Sequence, residues 1–592
     1  MSLCIGLNKG SHGAGICLVD GARAAPRAQL FLKERITRAK PEEDWTDLSP
    51  VIGRLPARVD AGRALIAENS FGERPLESID ARGGKAAYRR HWLYSSRKSV
   101  AAAHGRKAGR VLGAFNARTN PRVEFLPHHY CHAVAAMTVS PFRKALIVVM
   151  DGAGNFSTAF DPAHPELLRF PPPPSAAGGL AAEAVSIYAQ DGARLTCLHK
   201  DWQSIRPSPP HLPRPLTWGD GLGLFYENAA VFIFGNSRHA GKVMGLAALG
   251  RPRPVKDRLE FFEALDWTKS FRGSGADQWE ASPHRRYYAD IAASVQAHFE
   301  RSVLELMSRC RKSWPEYSRL ILTGGCALNC LTNSRIARSG LFRELYVPPF
   351  PGDESIAFGA AHHLARRSGR ARWKPVPWKR QKPNWGPAAS IPSRRNIRAV
   401  FGRRARAVPN PAATAADLLA RGKVVAWFQD RSESGPRALG FRSLLADPLR
   451  PGIKNYLNGF VKDRESFRPY GCSVLWEKAG DYFSVSKGFD SPFMSFAPTL
   501  RRSDRCRLRE ISHVDGTSRI QTVRREQNPL FYDLIKRFGD RTGVYAVLNT
   551  SLNVRGEPIA ETLEDARRVL DLTPIDALVA GSFLVAKDGA AR

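Results

Sequence analysis

The sequence lacks the features that would indicate a membrane protein, a zinc ribbon or an oxidising compartment. No apolar run in its 592 residues approaches the length of a bilayer span. Met1 leads almost directly into an apolar strand and not into a charged signal region. The nine cysteines are scattered, with no C-x-x-C pair, which is typical of a reducing compartment. We therefore expect a cytoplasmic protein with no membrane span.

Acidic residues are also scarce. The 89 lysines and arginines exceed the 55 aspartates and glutamates by 34, and the isoelectric point is near 10.3. Such a charge suits a polyanion such as RNA or an anionic membrane surface, and ten basic residues cluster between Arg82 and Arg118 without an acidic one. The cluster does not show the aromatic interleaving that is typical of RNA-binding sheets. We favour binding of small phosphorylated substrates and do not expect a nucleic-acid partner.

The length predicts more than one domain, because a single hydrophobic core rarely serves a chain of this size. Arginine, lysine and proline dominate residues 366–410, which have no sustained periodicity. We predict a first domain at 1–365, a basic linker at 366–410 and a second domain at 411–592.

The stretch Pro127–Met150 combines a helix with a buried strand. Its composition favours a helix that starts after Pro127 and is closed by Ser140 and the proline that follows. On that helix His128 and His132 are four residues apart, so their imidazoles share one face at about 6 Å. The apolar run Ala145–Met150 predicts a buried strand.

Two later turns of the chain each carry a carboxylate that could join the two imidazoles as a ligand. Asp151 comes directly after the strand, and Gly152 and Gly154 free the backbone beside it to face a phosphate. Asp353 lies at a later strand-to-helix turn, where it could supply a fourth ligand. An H-x-x-x-H pair alone is common, but two imidazoles with carboxylates make a mixed nitrogen and oxygen metal site.

The N-terminus repeats the same plan. A strand at 3–7 enters a glycine-rich turn that contains His12, and strands at 16–19 and 29–32 predict a hairpin. His12 is placed for acid–base chemistry, although a hydrogen-bonded turn residue is the simpler interpretation. Because strand, glycine-rich turn and strand recur at 145–160, we predict a duplicated two-lobed fold with nucleotide between the lobes. Residues 40–125 are expected to be helical and irregular.

Further along, the strand at 319–323 ends in Gly324 and Gly325 at a helix start, where a helix N-terminus can receive a phosphate or ribose. Lys242, in the motif GKVMGLA, could meet a phosphate or cap a helix, and the sequence leaves both open. The segments 288–312 and 356–364 have helical spacing or small-residue composition typical of packed helices.

Four polar runs interrupt the apolar strands of the second domain, at 431–440, 462–469, 513–519 and 548–553. Each combines basic or polar side chains with glycine, proline or serine. Guanidinium groups grip phosphate through two hydrogen bonds. One such run is usually a surface loop, but four in one domain favour an anion pocket.

Together these motifs resemble the O-carbamoyltransferases of the NodU/CmcH type, which modify nodulation factors and antibiotics. The resemblance extends almost from end to end and is weaker from about 40 to 120. The segments that carry it are HHYCHA, the strand into DGAG, GKVMGLA, LTGGCALN, GPRALGFRSLLADP, VKDRESFRPY, HVDGTSRIQTV and LNTSLNVRGEPI.

The resemblance implies an α/β chain with a duplicated ASKHA-type (actin-like ATPase) two-lobed domain followed by a YrdC-like α/β domain. In such enzymes the YrdC-like domain forms carbamoyl adenylate from carbamoyl phosphate and ATP, with Mg²⁺ accompanying the nucleotide. The ASKHA-type domain transfers the carbamoyl group to a hydroxyl of a secondary metabolite or saccharide. It uses a divalent metal, typically Fe²⁺, with Mn²⁺ or Zn²⁺ as alternatives.

The resemblance also implies roles for particular residues. The metal ligands would be His128, His132, Asp151 and Asp353. His12 would lie near the acceptor hydroxyl. The pocket of the second domain would include Arg437, Lys462, Arg468, Ser551 and Asn553. Further substrate or nucleotide contacts are expected at Gly152, Gly154, Gly324, Gly325, Asn329 and Arg519.

Three positions depart from the family pattern. The usual H-D-A-S has Gly13 in place of aspartate, the usual D-G-x-G-E ends in Asn155, and the usual G-D-x-G ends in Ser355. The ligands are retained but their surroundings change, which affects acceptor preference and metal affinity. Two alternatives stay open: a tRNA-directed carbamoyl-transfer protein, which the basic charge favours, and an inactive nucleotide-binding relative.

Overall fold

The computed structural model describes residues 3–8, 15–20, 27–38, 51, 65–69, 123–154, 169–170, 180–206, 218–273, 275–369 and 372–587. The predictions for His12, Gly13, Asn155 and the basic cluster at 82–118 lie outside these residues. All nine cysteines are free thiols.

The described strands are numbered in chain order. They are β1 Leu3–Asn8, β2 Gly15–Asp20, β3 Arg27–Leu32, β4 Leu65–Asn69, β5 Val123–Leu126, β6 Lys144–Met150, β7 Leu180–Asp191, β8 Arg194–Arg206, β9 Trp218–Gly219, β10 Arg319–Thr323, β11 Glu344–Tyr346, β12 Ala405–Ala407, β13 Val425–Phe428, β14 Arg442–Ala446, β15 Gly471–Leu475, β16 Ile520–Val523, β17 Ala546–Ser551, β18 Ala577–Ala580 and β19 Phe583–Ala586.

The described α-helices are numbered in the same way. They are α1 Lys33–Thr37, α2 His128–Val139, α3 Leu222–Phe234, α4 Ala240–Ala247, α5 Arg258–Glu263, α6 Ala276–Glu280, α7 Arg285–Ser313, α8 Cys330–Arg338, α9 Ile356–Arg367, α10 Arg394–Phe401, α11 Pro411–Ala420, α12 Ile453–Tyr456, α13 Ala479–Tyr482, α14 Pro529–Thr542 and α15 Leu563–Leu572.

The architecture is mixed α/β, and the chain forms two compact units that are discontinuous in sequence. The first comprises residues 1–206, 319–326 and 350–376, and the second comprises 207–318, 327–349 and 377–592. Among the described helices none is long and apolar enough to cross a membrane.

The first unit contains a five-stranded sheet in the order β3-β2-β1-β4-β5. The predicted hairpin is confirmed, because β1 pairs with β2 and β2 with β3, both antiparallel. Strands β4 and β5 run parallel to β1 and β4, respectively. They fall in the segment that we expected to be helical and irregular, so that expectation is wrong for these residues; the short strands at 65–69 and 123–126 showed no clear alternation in the sequence.

A second sheet of this unit brings β10 beside β6. These strands are parallel, and β6 pairs with β7 antiparallel. The carboxyl ends of β6 and β10 therefore lie at the same edge, where Asp151 and Gly324 follow the two strands. Every residue from Ala145 to Met150 is buried, as the continuous apolar run predicted.

Helices α2 and α9 pack closely on each other, with α9 on the first sheet and α2 on the second. A Cβ atom on Gly359 of α9 would lie 2.0 Å from the Cys131 carbonyl oxygen of α2. A Cβ atom on Gly6 of β1 would lie 1.9 Å from the Ala357 carbonyl oxygen of α9. Glycine at both positions lets the backbones touch, which fixes α9 against α2.

The second unit is built around an eight-stranded sheet in the order β12-β19-β18-β13-β14-β17-β15-β16. Both faces are covered, since Ala426 and Phe428 of β13 join one apolar cluster while Val425 and Trp427 join another. Helices α10 and α15 cover the first face, and α11 and α14 cover the second. Helix α10 lies within the stretch predicted as a linker, and its Ile397 and Phe401 are buried in the core.

Candidate metal centre and cationic cluster

Helix α2 supplies two imidazoles to the candidate metal centre. The helix begins at His128 after Pro127, as predicted, and both His128 and His132 are buried. Their Nε2 atoms lie 3.2 Å apart and their ring centroids 4.9 Å apart. The spacing of four residues has placed the two imidazoles on one face.

Two carboxylates complete the cluster from different parts of the chain. Asp151 Oδ2 lies 3.0 Å from His132 Nε2 and 3.4 Å from His128 Nε2. Asp353 Oδ1 lies 3.3 Å from His128 Nε2 and 3.5 Å from His132 Nε2. One ligand atom from each of the four residues lies within 4.8 Å of all the others. The geometry suits a single cation with two nitrogen and two oxygen ligands.

Neighbouring groups fix the orientation of these ligands. Ser355 Oγ lies 2.9 Å from His132 Nδ1, which leaves His132 Nε2 facing the cluster. The backbone N–H groups of Gly152 and Gly325 both donate to Asp151 Oδ1, at 2.8 and 3.1 Å. Such outer contacts orient metal ligands and tune their basicity.

The paired glycines after β10 thus contact a ligand of the centre. A Cβ atom on Gly325 would lie 2.8 Å from Asp151 Oδ1, and Gly324 has a φ of +87°, with its Cβ position 2.1 Å from the Met150 carbonyl oxygen. Only glycine lets β10 leave the sheet this close to the end of β6.

The electrostatics of the cluster favour a positive charge. Burial disfavours an imidazolium, yet Asp353 and Asp151 raise the pKa of His128 to about 10. Burial likewise opposes a charged Asp151, but hydrogen bonds with His128 and His132 hold its pKa well below the usual range. The residues present fit a bound divalent cation in both donor chemistry and charge.

A buried polar network, which the sequence did not predict, lies behind the centre. His129 Nδ1 is 2.8 Å from Ser186 Oγ, and Lys200 Nζ donates to that oxygen at 3.1 Å and to Glu183 Oε1 at 2.6 Å. Burial lowers the pKa of His129 to about 3, so this imidazole is neutral. Glu183 and Ser186 lie three positions apart at an irregularity of β7, and Lys200 of β8 lies between two other polar residues, so their spacing carries no signal for a site.

This network also explains one predicted glycine. The Gly154 N–H donates to the Glu183 carbonyl oxygen at 2.8 Å. A Cβ atom on Gly154 would lie 2.6 Å from Glu183 Oε2 and 2.7 Å from His129 Nε2. Strand β8 also holds Gly152, because Gln203 Nε2 of that strand donates to the Gly152 carbonyl oxygen at 2.6 Å.

In the second unit, three of the predicted basic residues form a cationic cluster of Arg437, Arg468 and Arg519. Arg519 comes from the turn before β16, and its buried Nε has no hydrogen-bond partner among the described residues. Burial, together with Arg437 and Arg468, lowers the pKa of Arg519 to about 9. Several guanidinium groups gathered in one partly buried place are typical of an anion site.

The other three predicted residues of the pocket form a separate contact. Lys462 is buried, and its ammonium group donates to the Asn553 carbonyl oxygen at 2.8 Å, to Asn553 Oδ1 at 2.7 Å and to the Ser551 carbonyl oxygen. Ser551 Oγ donates to the same Oδ1 at 2.7 Å. Lys462 therefore holds the turn after β17.

The structure shows the contacts of Asn329, expected to meet substrate or nucleotide, and of Lys242, whose role the sequence left open. Asn329 caps helix α8, since its Oδ1 accepts from the Thr332 N–H at 3.1 Å. Lys242 of α4 does not cap a helix; its Nζ donates to Glu465 Oε1 at 2.6 Å.

Comparison with known proteins gives two matches to family profiles. Residues 59–362 match the profile described as Carbamoyltransferase N-terminus, and residues 416–587 match Carbamoyltransferase C-terminus. The chain belongs to the carbamoyltransferase family. It is an enzyme of that family, and all four residues of the metal centre lie within the first match.

Individual relatives agree with this assignment. The carbamoyltransferase is 32% identical to nodulation protein NolNO of Sinorhizobium fredii over 81% of its chain and 66% of the relative, just under two thirds. It is 33% identical to nodulation protein NolO of Bradyrhizobium diazoefficiens over 78% of both chains. It is 30% identical to 3'-hydroxymethylcephem-O-carbamoyltransferase of Streptomyces clavuligerus over 58% of its chain and 64% of that relative.

A solved structure of full-length HypF in the phosphate- and nucleotide-bound form aligns with 63% of this carbamoyltransferase and 56% of HypF. The TM-score is 0.33 and the identity 12%. A likeness this distant supports no further argument.

Proposed function

We propose that the enzyme is an ATP-dependent O-carbamoyltransferase. It forms carbamoyl adenylate from carbamoyl phosphate and ATP, and it transfers the carbamoyl group to a hydroxyl of a secondary metabolite or saccharide. The observation that carries the proposal is the convergence of His128, His132, Asp151 and Asp353 in a chain of this family. The cephem O-carbamoyltransferase and the nodulation proteins among its relatives favour a small-molecule or saccharide acceptor.

Transfer belongs to the metal centre in this proposal. The four residues would hold Fe²⁺, with Mn²⁺ or Zn²⁺ as alternatives, and the cation would offset charge on the leaving phosphate. Asp151 is held by two backbone N–H groups and His132 by Ser355, so the ligands need little rearrangement on binding. His12 would serve the acceptor hydroxyl as acid or base.

Activation belongs to the cationic cluster. Carbamoyl phosphate and the ATP phosphates, with their Mg²⁺, need charge matched where water is scarce. Arg519 is partly buried, and its buried Nε has no hydrogen-bond partner among the described residues; an anion there would offset the unfavourable burial of positive charge. Joining carbamate to AMP supplies a good leaving group, and excluding water protects the mixed anhydride from hydrolysis.

The proposal includes the domain plan given by the family resemblance. An ASKHA-type domain at 1–365 would carry out transfer, a linker would occupy 366–410, and a YrdC-like domain at 411–592 would carry out activation. We place the enzyme in the cytoplasm, where carbamoyl phosphate and ATP are available.

Incubation with carbamoyl phosphate, ATP, Mg²⁺ and Fe²⁺ tests the proposal. With a panel of hydroxyl acceptors that includes saccharides, small metabolites and tRNA, we expect one acceptor class to gain the mass of a single carbamoyl group. ATP should become AMP and pyrophosphate, and only when carbamoyl phosphate is present. ADP as the main product, or modification of tRNA alone, would contradict the proposal.

A further inference from the structure

An acidic residue lies among the basic side chains near the cationic cluster. Glu465 is buried in the loop between α12 and β15, and its Oε1 accepts from Lys242 Nζ at 2.6 Å. Its Oε2 lies 3.5 Å from Arg468 Nη1. One carboxylate thus bridges a lysine of α4 and an arginine three residues further along its own loop.

The backbone strengthens this arrangement. The Arg468 N–H donates to the Glu465 carbonyl oxygen at 3.1 Å, which closes a turn between the two residues. The Ser466 N–H donates to Glu280 Oε1 at 2.7 Å. The loop is therefore fixed directly after Glu465.

The same loop also packs against helices α3, α4 and α6. The Phe467 ring is stacked on Phe234 at 6.1 Å and lies 5.0 Å from Trp279. A Cβ atom on Gly245 of α4 would lie 3.3 Å from Pro469 Cδ. The motifs GKVMGLA and VKDRESFRPY, which belong to different family profiles, are thus in direct contact.

The surrounding charges show why Arg468 needs a carboxylate beside it. Arg437 and Arg519 are like charges in the same cluster, and Arg468 is one of the cations that lower the Arg519 pKa. Arg468 is also only partly buried, with 26% of its side chain exposed. An unrestrained guanidinium in this position would be driven toward solvent by repulsion.

We propose that Glu465 is a positioning residue that holds Arg468 in the cationic cluster, with Lys242 anchoring the carboxylate. The inference rests on the proposed function, because it assigns the cluster to the phosphate of carbamoyl phosphate. It gives Lys242 a role that differs from both alternatives left open by the sequence, a direct phosphate contact and a helix cap. Burial lowers the pKa of Lys242 to about 8, and Glu465 opposes that shift.

The direction of the change in anion affinity distinguishes a positioning role of Glu465 from a purely electrostatic effect of its charge. Replacing Glu465 by Gln removes a negative charge close to an anion site, which by electrostatics alone would strengthen anion binding. If Glu465 positions Arg468, the same change weakens binding. Glu465→Asp keeps the charge but is one methylene too short to reach both cations, and it provides a milder variant for folding.

The experiment measures the affinity of the full chain for inorganic phosphate and carbamoyl phosphate by calorimetry. We expect Glu465→Gln and Glu465→Asp each to weaken binding about tenfold, the range for one charged hydrogen bond. Glu280→Gln is the matched control, because the glutamine amide oxygen can still accept from the Ser466 N–H while a carboxylate that does not touch Arg468 is removed, and its affinity should equal that of the wild type. Melting temperatures show whether each variant is folded at the assay temperature.

A double-mutant comparison tests whether Glu465 acts through Arg468. In an Arg468→Ala background, Glu465→Gln should cause no further weakening, whereas a general loss of structure would add to the first effect. Unchanged or tighter phosphate binding in both Glu465 variants, full additivity, or no phosphate binding by the wild type would each overturn the inference. Formation of AMP by the wild type is scored separately: phosphate binding that depends on Glu465 without AMP formation would reject the proposed function alone.

Discussion

At the scale of single residues, the candidate metal centre depends on four side chains and on the groups that orient them. His128 and His132 are four residues apart, while Asp151 and Asp353 are 202 positions from each other in the chain. Ser355 carries no charge and is not one of the four candidate ligands, yet its Oγ lies 2.9 Å from His132 Nδ1. Two substitutions distinguish the role of a metal ligand from the role of a group that orients a ligand.

Replacing His132 by Ala should remove one nitrogen ligand and leave Asp151 and Asp353 with one imidazole. We expect metal content to fall to a minor fraction and carbamoyl transfer to be lost, because a three-ligand remnant holds a cation poorly. Metal analysis and the transfer assay check this, with formation of carbamoyl adenylate, measured as pyrophosphate release, expected to persist. Tyr130→Phe, on the same helix but directed to His363, is the control, and full metal occupancy in His132→Ala would reject the ligand assignment.

Ser355→Ala should keep all four ligands and lower metal affinity by about ten- to a hundredfold, the usual effect of removing a group that orients a ligand. The loss of the hydroxyl frees the His132 ring to rotate and to change tautomer. Competition with a chelator measures the affinity. If Ser355 serves only the start of α9, the variant will melt at a lower temperature while binding metal as tightly as the wild type.

At the scale of elements, the centre requires α9 to lie against α2. Asp353 precedes α9, and the contact between Gly359 and Cys131 sets the distance between the two helices. Helix α2 alone carries two ligands, but a shift of α9 would move Asp353 away from them.

Gly359→Ala should therefore lower both stability and metal affinity. The new Cβ would lie 2.0 Å from the backbone oxygen of Cys131, so the helices must separate, at a cost of about 1–3 kcal/mol. Denaturant unfolding and metal titration on the same protein check the two effects. Gly480→Ala, in α13 with no atom near its Cβ position, should leave both unchanged; wild-type metal affinity in Gly359→Ala would contradict the role of this contact.

At the scale of the whole molecule, the chain presents two chemically distinct places. One combines imidazoles and carboxylates in the first unit, and the other combines arginines in the second. The proposed function assigns transfer to the first and activation to the second, so variants should impair the two half-reactions separately.

Arg468→Ala should lower adenylate formation, measured as pyrophosphate release, by about ten- to a hundredfold, since each hydrogen bond to a charged group contributes about 1.5–3 kcal/mol. Lysine should not restore it, because an ammonium group lacks the planar two-pronged geometry. Metal content should stay at the wild-type level, and preformed carbamoyl adenylate should restore transfer. Failure of that rescue in a stable protein would count against two separate sites.

Features that depend on local spacing could be predicted from the sequence, whereas contacts between distant residues required the tertiary structure. The sequence by itself determined features that depend on local spacing: the paired imidazoles of α2, the buried strand β6, the hairpin from β1 to β3, and through its motifs the family. It also nominated Asp353, because carboxylates at strand-to-helix turns recur at sites of this kind. Short strands such as β4 and β5, which lack a periodic pattern, were missed.

Only the tertiary structure decided which distant groups meet. Ser355 beside His132, the network of His129 with Lys200, and Glu465 between Lys242 and Arg468 join residues from separate elements. No spacing along the chain encodes such contacts, because they arise from the packing of helices on sheets. The same packing decided the partners of the predicted basic residues, with Lys462 held by Asn553 and with Arg437 and Arg468 close enough to Arg519 to lower its pKa.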